Sequence, residues 1–434
     1  MNTTLICTVG GSHEPILEAI RSVRPDRVCF VCTDTDSGTG KPGSRHQIDG
    51  RGSIIKAKWN DEKPSLPNIP TQAALRDNQW QVTIVSADDL DGCFETIHAL
   101  LAREIEINPE ARLVVDYTGG TKTMTAAAIL AGLDFEPVEL QLVTGARADL
   151  QQVRSGTEIA VSANVERVRL RRAMAPFLDT WKRYAYDEAE AGLRALVPPR
   201  DIKLRAIWNR AVNLSAAFSH WDRFDHAAAG RLLDTYQAAV APHGWQNYFP
   251  ALQSLNTEGK QREPLHLLDL WRNAERRAAQ GRFDDAVARC YRLLEWAAQY
   301  LLRRDIGIET GKVSANQLAP GMQSTPDNDG FYRVGLMGAW QLVERHVRGN
   351  PGKFFAANSH KMRDLIKRRN HSILAHGDTP VDAAAWQEWK AWIEEPFLPM
   401  LLEEASKDKI RHLPPQLPHE FPQWLLHSNK ESQA

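Results

Sequence analysis

The chain has 434 residues, more than one hydrophobic core of ordinary size accommodates, so two or three domains are expected. Its 53 lysines and arginines stand against 54 aspartates and glutamates, a formal charge of −1, which excludes a uniformly basic polymer-coating protein and confines any nucleic-acid contact to a local patch. No signal peptide is legible at the start and no apolar run approaches the roughly 20 residues that span a bilayer, so a cytoplasmic protein with no membrane contact is expected.

In the first 160 residues strand and helix signals alternate. Residues 4–9 form an apolar run that stops at Gly10-Gly11-Ser12, and residues 14–23 have the apolar spacing of a helix. A second strand, 27–33, leads into a polar, glycine-rich stretch at 34–53 that reads as a mobile loop. Strands at 80–86, 113–117 and 138–144 alternate with helices at 94–105 and 122–133, and a hairpin-like segment at 151–161 around Ser155-Gly156 closes the series. Such alternation predicts a mostly parallel sheet covered on both faces, the doubly wound α/β architecture, over residues 1–162. The five cysteines, Cys7, Cys29, Cys32, Cys93 and Cys290, lie mostly in apolar runs and read as reduced core residues. Cys29 and Cys32 spell C-x-x-C, but inside a strand a separation of three puts them on opposite faces, and no second ligand pair stands at zinc-like spacing.

From about residue 165 the strand signals vanish. Helices are expected at 169–185, 188–196, 204–219, 226–240, 265–280 and 283–304, then, after a glycine- and proline-containing interruption at 319–330, at 332–347 and 362–375. This divides the all-α part into a helical linker, 163–264, and a second helical domain, 265–405; residues 406–434, with four prolines, read as a tail. The segment 280–286 resembles the turn of a helical repeat, but no copy recurs at a fixed period.

Two motifs carry chemistry. Glycine-rich elbows follow the first strand (Thr8-Val9-Gly10-Gly11-Ser12) and the fourth (Asp116 to Met124, with Thr118-Gly119-Gly120-Thr121-Lys122 at its centre). Both fall at the carboxyl ends of expected parallel strands, where open α/β sheets bind ligands, and glycine backbone, a helix N-terminus and Lys122 suit a phosphate-bearing guest. The alternative is that the glycines only make tight turns. Neither elbow is G-x-G-x-x-G or G-x-x-x-x-G-K-[ST].

The second motif runs from Arg368 to Gly377. On a continuous helix Arg369 and His376, seven apart, would share a face within about 20° and be separated by about 10.5 Å along the axis, with His371 pointing elsewhere. Arginine clamps phosphate and histidine exchanges protons near neutral pH, a pair suited to phosphodiester cleavage. The blander alternative has His376 ending a helix capped by Gly377.

With the two elbows, Arg369-Asn370 and His376-Gly377 in this order, the chain resembles the type III CRISPR-associated CARF–HEPN ribonucleases of the Csm type. The resemblance implies a Rossmann-like CARF domain that binds a cyclic oligoadenylate messenger, followed by a helical linker and an all-α HEPN domain that cuts single-stranded RNA. No cluster of carboxylates or His/Cys ligands accompanies Arg369 and His376 in the sequence, so neither a metal nor a cofactor is expected. The resemblance places Gly10, Gly11, Ser12, Thr118, Gly119, Gly120, Thr121 and Lys122 along the messenger pocket, with Asp34 and Thr35 at its border. It makes Arg369 and His376 catalytic and Asn370 auxiliary, and likens residues 291–295 to the preceding HEPN helix, where Glu295 would orient an arginine. One sparse Arg369/His376 pair points to a homodimer with a composite groove, and a two-fold axis favours an even-numbered ring, cyclic tetra-adenylate over cyclic hexa-adenylate. Two other functions remain open: a non-catalytic sensor or regulator, and cleavage of the messenger in the N-terminal domain. The absence of a basic helix-turn-helix counts against a DNA-binding regulator.

Overall fold

The structure, a computed structural model, describes residues 2–52, 65–145, 147–149, 152–153, 159–240, 244–318, 321–322 and 325–426. It divides into two compact units, Met1–Ala173 and Met174–Ala434.

In the first unit the elements are β1 (Thr3–Thr8), α1 (Glu14–Val23), β2 (Arg27–Cys32), α2 (His46–Asp49), α3 (Ile69–Gln72), β3 (Trp80–Ile84), α4 (Leu90–Ile107), β4 (Arg112–Asp116), α5 (Lys122–Asp134), β5 (Val138–Thr144), β6 (Arg147–Asp149), β7 (Gln152–Val153) and β8 (Ile159–Ser162). The main sheet has the order β3-β2-β1-β4-β5-β8, parallel throughout except for the antiparallel edge strand β8. Strands such as Val28-Cys29-Phe30-Val31-Cys32 are buried on both sides because alternate residues feed two cores. Cys29 and Val31 face Ile97, Leu101 and Ala128 of α4 and α5, while Val28, Phe30 and Cys32 face Ile16 and Ile20 of α1. The doubly wound expectation holds, and all five cysteines are free and buried. The hairpin expected at 151–161 lies partly outside the described residues; β8 at its far end closes the sheet.

The glycine-rich loop expected after β2 folds back on the end of that strand. Thr33 N–H donates to the Ser44 hydroxyl at 3.0 Å and Ser44 N–H to the Thr33 hydroxyl at 2.9 Å. A Cβ at Gly43 would collide with the Thr33 and Asp34 carbonyls, so glycine permits the fold-back. Ser53 lies outside the described residues.

α6 (Glu166–Asp179) runs across the division. The second unit follows with α7 (Tyr186–Ala195), α8 (Ile202–Asp222), α9 (His226–Asp234), α10 (Gln237–Val240), α11 (Tyr248–Asn256), α12 (Arg262–Ala279), α13 (Phe283–Ile306), α14 (Leu336–His346), α15 (Asn350–Asn370), α16 (Ala383–Trp392) and α17 (Leu398–Ser406). Gly281, at φ +74°, turns α12 into α13, an ordinary helical hairpin. Its core gathers Trp271, Leu293, Leu294, Trp340, Phe354 and Phe397. Trp271 stacks on Trp386 at 5.9 Å. The proline-containing segment after Ser406 is packed through Leu426: Leu417, Phe421 and Leu425 are buried. The Tyr186 hydroxyl donates to the Pro418 carbonyl at 2.6 Å. Residues 427–434 lie outside the described residues. No helix among the described residues is long and apolar enough to cross a membrane.

The expected helix that carries the second motif is corrected. In place of 362–375, α15 begins at Asn350, with Pro351 in its first turn, and stops at Asn370. Beyond it Ser372 bridges to Thr379, His376 N–H donates to the Asn370 carbonyl at 3.2 Å, and Gly377 lies against the His371 backbone, where a Cβ would collide with the His371 carbonyl. Tertiary packing of the returning strand of chain thus ends the helix five residues early.

Candidate ligand crevice and candidate active site

The strand order reverses direction between β1 and β4, and the carboxyl ends of those strands carry the two glycine elbows, the place where open α/β sheets hold ligands. The elbows grip each other. The buried Thr8 hydroxyl donates to the Gly119 carbonyl at 2.7 Å. A Cβ on Gly10 would stand 2.7 Å from the Gly120 nitrogen, one on Gly119 would collide with the Thr8 carbonyl, and Gly120 has φ +85°. Gly10, Gly119 and Gly120 are therefore required by close backbone approach and a left-handed turn, whatever else they do.

Two of the expected hydroxyls also hold the frame. Thr118 Oγ1 accepts from Val143 N–H at 2.6 Å, while Thr121 Oγ1 caps α5 at Met124 N–H, 3.2 Å, and donates to the Ala87 carbonyl at 2.7 Å. Beneath them Asp116 accepts from Thr118 N–H at 3.1 Å and from Gln141 Nε2 at 3.2 Å. Burial pushes its carboxyl above the usual range. What remains at the mouth is exposed Gly11, Ser12 and Lys122, the last at the N-terminus of α5 and without a carboxylate partner among the described residues. Exposed Asp34 and Thr35 follow β2, one strand over from β1; the Asp34 carboxylate meets Arg45 at 3.4 Å, and Arg45 also pairs with Asp49 at 2.6 Å. Thr8 and Asp116, which open the two elbow motifs, were given no role of their own from the sequence, and Gln141 was not singled out.

In the helical unit the geometry around Arg369 differs from the continuous-helix expectation. Arg369 occupies the last turn of α15, whereas exposed His376 lies in the turn beyond, brought back by its backbone bond to Asn370. Their common face on one helix is thus overturned, although both adjoin Asn370. Gly377 serves close approach to His371 and is not the cap of a helix ending at His376.

The Arg369 guanidinium carbon sits 4.3 Å from the centre of the Tyr291 ring on α13, and its Nη1 donates to Asn370 Oδ1 at 3.3 Å. No carboxylate pairs with it among the described residues, and its buried Nε has no partner. Neighbouring Arg368, by contrast, pairs with Glu388, as does Lys361. A guanidinium oriented by an aromatic face and not neutralised by a carboxylate keeps donors free for a phosphate. Glu295 pairs with Arg292 at 2.7 Å, not with Arg369. The aromatic support was missed in the sequence, where only the carboxylate of that helix was considered. Tyr291→Ala is expected to lower any Arg369-dependent turnover about tenfold, given the roughly 1–2 kcal/mol of such contacts, while Tyr291→Phe retains it. Steady-state kinetics on both variants checks this.

Beside Arg369 a cleft of about 550 Å³ opens between α15 and α16, lined among others by Lys367, Arg368, Arg369, His371, Thr379 and Trp389. Among the described residues no group of three or more His, Cys, Asp or Glu stands close enough to hold a metal ion.

Residues 256–397 match the family model described as Csm6 HEPN domain. Csm6 of Enterococcus italicus, solved bound to cyclic hexa-2'-fluoro-hexa-dAMP, is similar over 93% of this chain and 94% of that one, with a TM-score of 0.54 and 13% identity, a likeness of fold. Can2 from Sulfobacillus thermosulfidooxidans, in complex with cyclic tetra-adenylate (cA4), aligns over 57% of this chain and 69% of that one at 12% identity with a TM-score of 0.23. No curated protein matches the sequence. The findings bear out the resemblance to the CRISPR-associated CARF–HEPN effectors. More particularly, the chain shares the fold of Csm6, and its residues 256–397 are similar to the Csm6 HEPN domain.

Proposed function

We propose that the protein is a cytoplasmic, cyclic-oligoadenylate-activated and metal-independent endoribonuclease of type III CRISPR antiviral defence. The observation that carries this reading is the match of residues 256–397 to the Csm6 HEPN domain, a segment that contains Arg369, Asn370 and His376. The Arg369 guanidinium, held on Tyr291 and without a carboxylate partner among the described residues, supports a phosphate-binding role. The messenger pocket is the crevice at the β1/β4 reversal, with Gly11, Ser12 and Lys122 at its mouth, Gly10 and Thr118, Gly119, Gly120 and Thr121 forming its walls, and Asp34 and Thr35 at its border. Enterococcus italicus Csm6, of the same fold, was solved with a six-membered ring analogue; our reading takes a four-membered ring in preference, so both belong in the assay.

The active species is a homodimer in which two Arg369/His376 pairs form one groove that receives single-stranded RNA. Supporting this, Ile373 and Leu374, in the turn between those residues, expose 58% and 50% of their surface, an apolar face suited to a second copy. Lys122→Ala is expected to raise the ring concentration for half-maximal RNA cleavage about tenfold, the order of one lost charge-assisted phosphate contact. Calorimetric affinity for the ring should weaken equally; unchanged affinity would remove Lys122 from the pocket.

A further inference from the structure

The residue within the motif that the helical spacing sets aside, His371, is the histidine that lines the cleft next to Arg369; His376 is not among the lining residues. Its Nδ1 lies 2.7 Å from the Lys367 carbonyl oxygen. A carbonyl only accepts, so Nδ1 carries the hydrogen and the neutral ring keeps Nε2 as a free acceptor. The same cleft combines two cations with no carboxylate partner among the described residues, Lys367 and Arg369, with an apolar side made by Val287, Leu365, Ala385 and Trp389; of its three carboxylates, Glu388 is paired with Lys361 and Arg368, Asp382 accepts from the Ala385 N–H, and Asp364 also lines the wall. Its volume of about 550 Å³ falls in the range of roughly 300–1,000 Å³ typical of small-ligand sites. Cation, apolar wall and a tautomer-locked acceptor are the three elements that a nucleotide needs: one for phosphate, one for the base face, one for a base N–H.

We infer that this cleft is a nucleotide-binding subsite for single-stranded RNA, adjoining the Arg369 site, in which His371 reads the base edge through Nε2. The inference rests on the ribonuclease reading for its biological setting but not for its test. His371 is exposed, so replacing it removes no buried packing. Two measurements on the full chain decide it: kinetics on single-stranded RNA, and fluorescence-anisotropy titration of a 2′-fluoro oligonucleotide of the same sequence, which cannot supply a 2′-hydroxyl nucleophile. His371→Ala is expected to raise KM and the oligonucleotide Kd each about tenfold, with kcat within about twofold of the parent and with altered base preference beside the cut; His371→Gln, which retains an acceptor, should recover part of the affinity. Unchanged Kd in His371→Ala, no oligonucleotide binding by the parent chain, or a loss confined to kcat would each overturn the subsite. A parent chain that binds the oligonucleotide through His371 yet cuts no RNA would sink the ribonuclease reading and leave the subsite standing.

Discussion

Alanine at Arg369 or at His376 is expected to lower single-stranded RNA cleavage by a factor on the order of 100 or more, because a group that stabilises developing phosphate charge and one that moves a proton each contribute on that scale. Arg369 reaches the site from the last turn of α15, held on the Tyr291 ring, with its fork not committed to any carboxylate among the described residues. His376 lies in the turn that returns to Asn370. In this account Arg369 steadies the phosphate, His376 positions or shuttles the proton, Asn370 holds the guanidinium, and the attacking group is the 2′-hydroxyl of the RNA itself. That oxygen forms the new bond to phosphorus as the 5′-oxygen leaves, so the upstream product ends in a 2′,3′-cyclic phosphate and a 2′-deoxy nucleotide at the scissile position blocks the cut. Both variants should bind the messenger as the parent does, since both residues belong to the other unit. Normal cleavage by both variants would move the active site elsewhere.

The second large effect is on stability. Asp222, at the end of α8, accepts from Arg276 Nε at 2.7 Å, from Asn273 Nδ2 at 2.8 Å and from Arg277. Arg276 is completely buried, and the other nearby carboxylate, Asp269, stands 3.8 Å away while accepting from His226 at 2.9 Å and Trp221 at 3.2 Å. The same arginine donates to Gln416 at 2.8 Å, tying the segment after Ser406 into the network. Removing one partner of such a set leaves a charge uncompensated away from water. Asp222→Ala is therefore expected to destabilise the helical unit by about 3–5 kcal/mol. At about 2–4 °C per kcal/mol for domains of this size, that lowers its melting temperature by roughly 10 °C in calorimetry. Asp222→Asn, which retains an acceptor, should lose less, and an unchanged melting temperature in Asp222→Ala would contradict the role given to the network.

What was legible in the sequence followed local rules. The sheet was visible because its strands are near-continuous apolar runs, as at Val28 to Cys32, and the elbows because glycine marks places where a side chain does not fit; the structure supplies the reason at Gly10 and Gly119, each of which approaches the other elbow's backbone. The end of α15 was not legible. Residues 371–375 contain nothing that forbids a helix, and what stops it is Gly377 packing on His371 and Ser372 bridging to Thr379, contacts made by chain that comes later. For the same reason the face expected to be shared by Arg369 and His376 was misplaced, and His371 was set aside. Tyr291 beneath Arg369 is a contact between α13 and α15 that periodicity does not report. After Ser406 the prolines hid a packed segment, although Leu417, Phe421 and Leu425 recur every four residues and are all buried.

The most direct test of the central claim is cleavage of end-labelled single-stranded RNA by the purified chain in EDTA, without a messenger and with cyclic tetra- or hexa-adenylate, reading both rate and product ends. The account predicts cleavage that rises with one of the rings, persists in EDTA and leaves 2′,3′-cyclic phosphate termini. RNA left uncut under every condition, or cut only when a divalent metal is supplied, would contradict it.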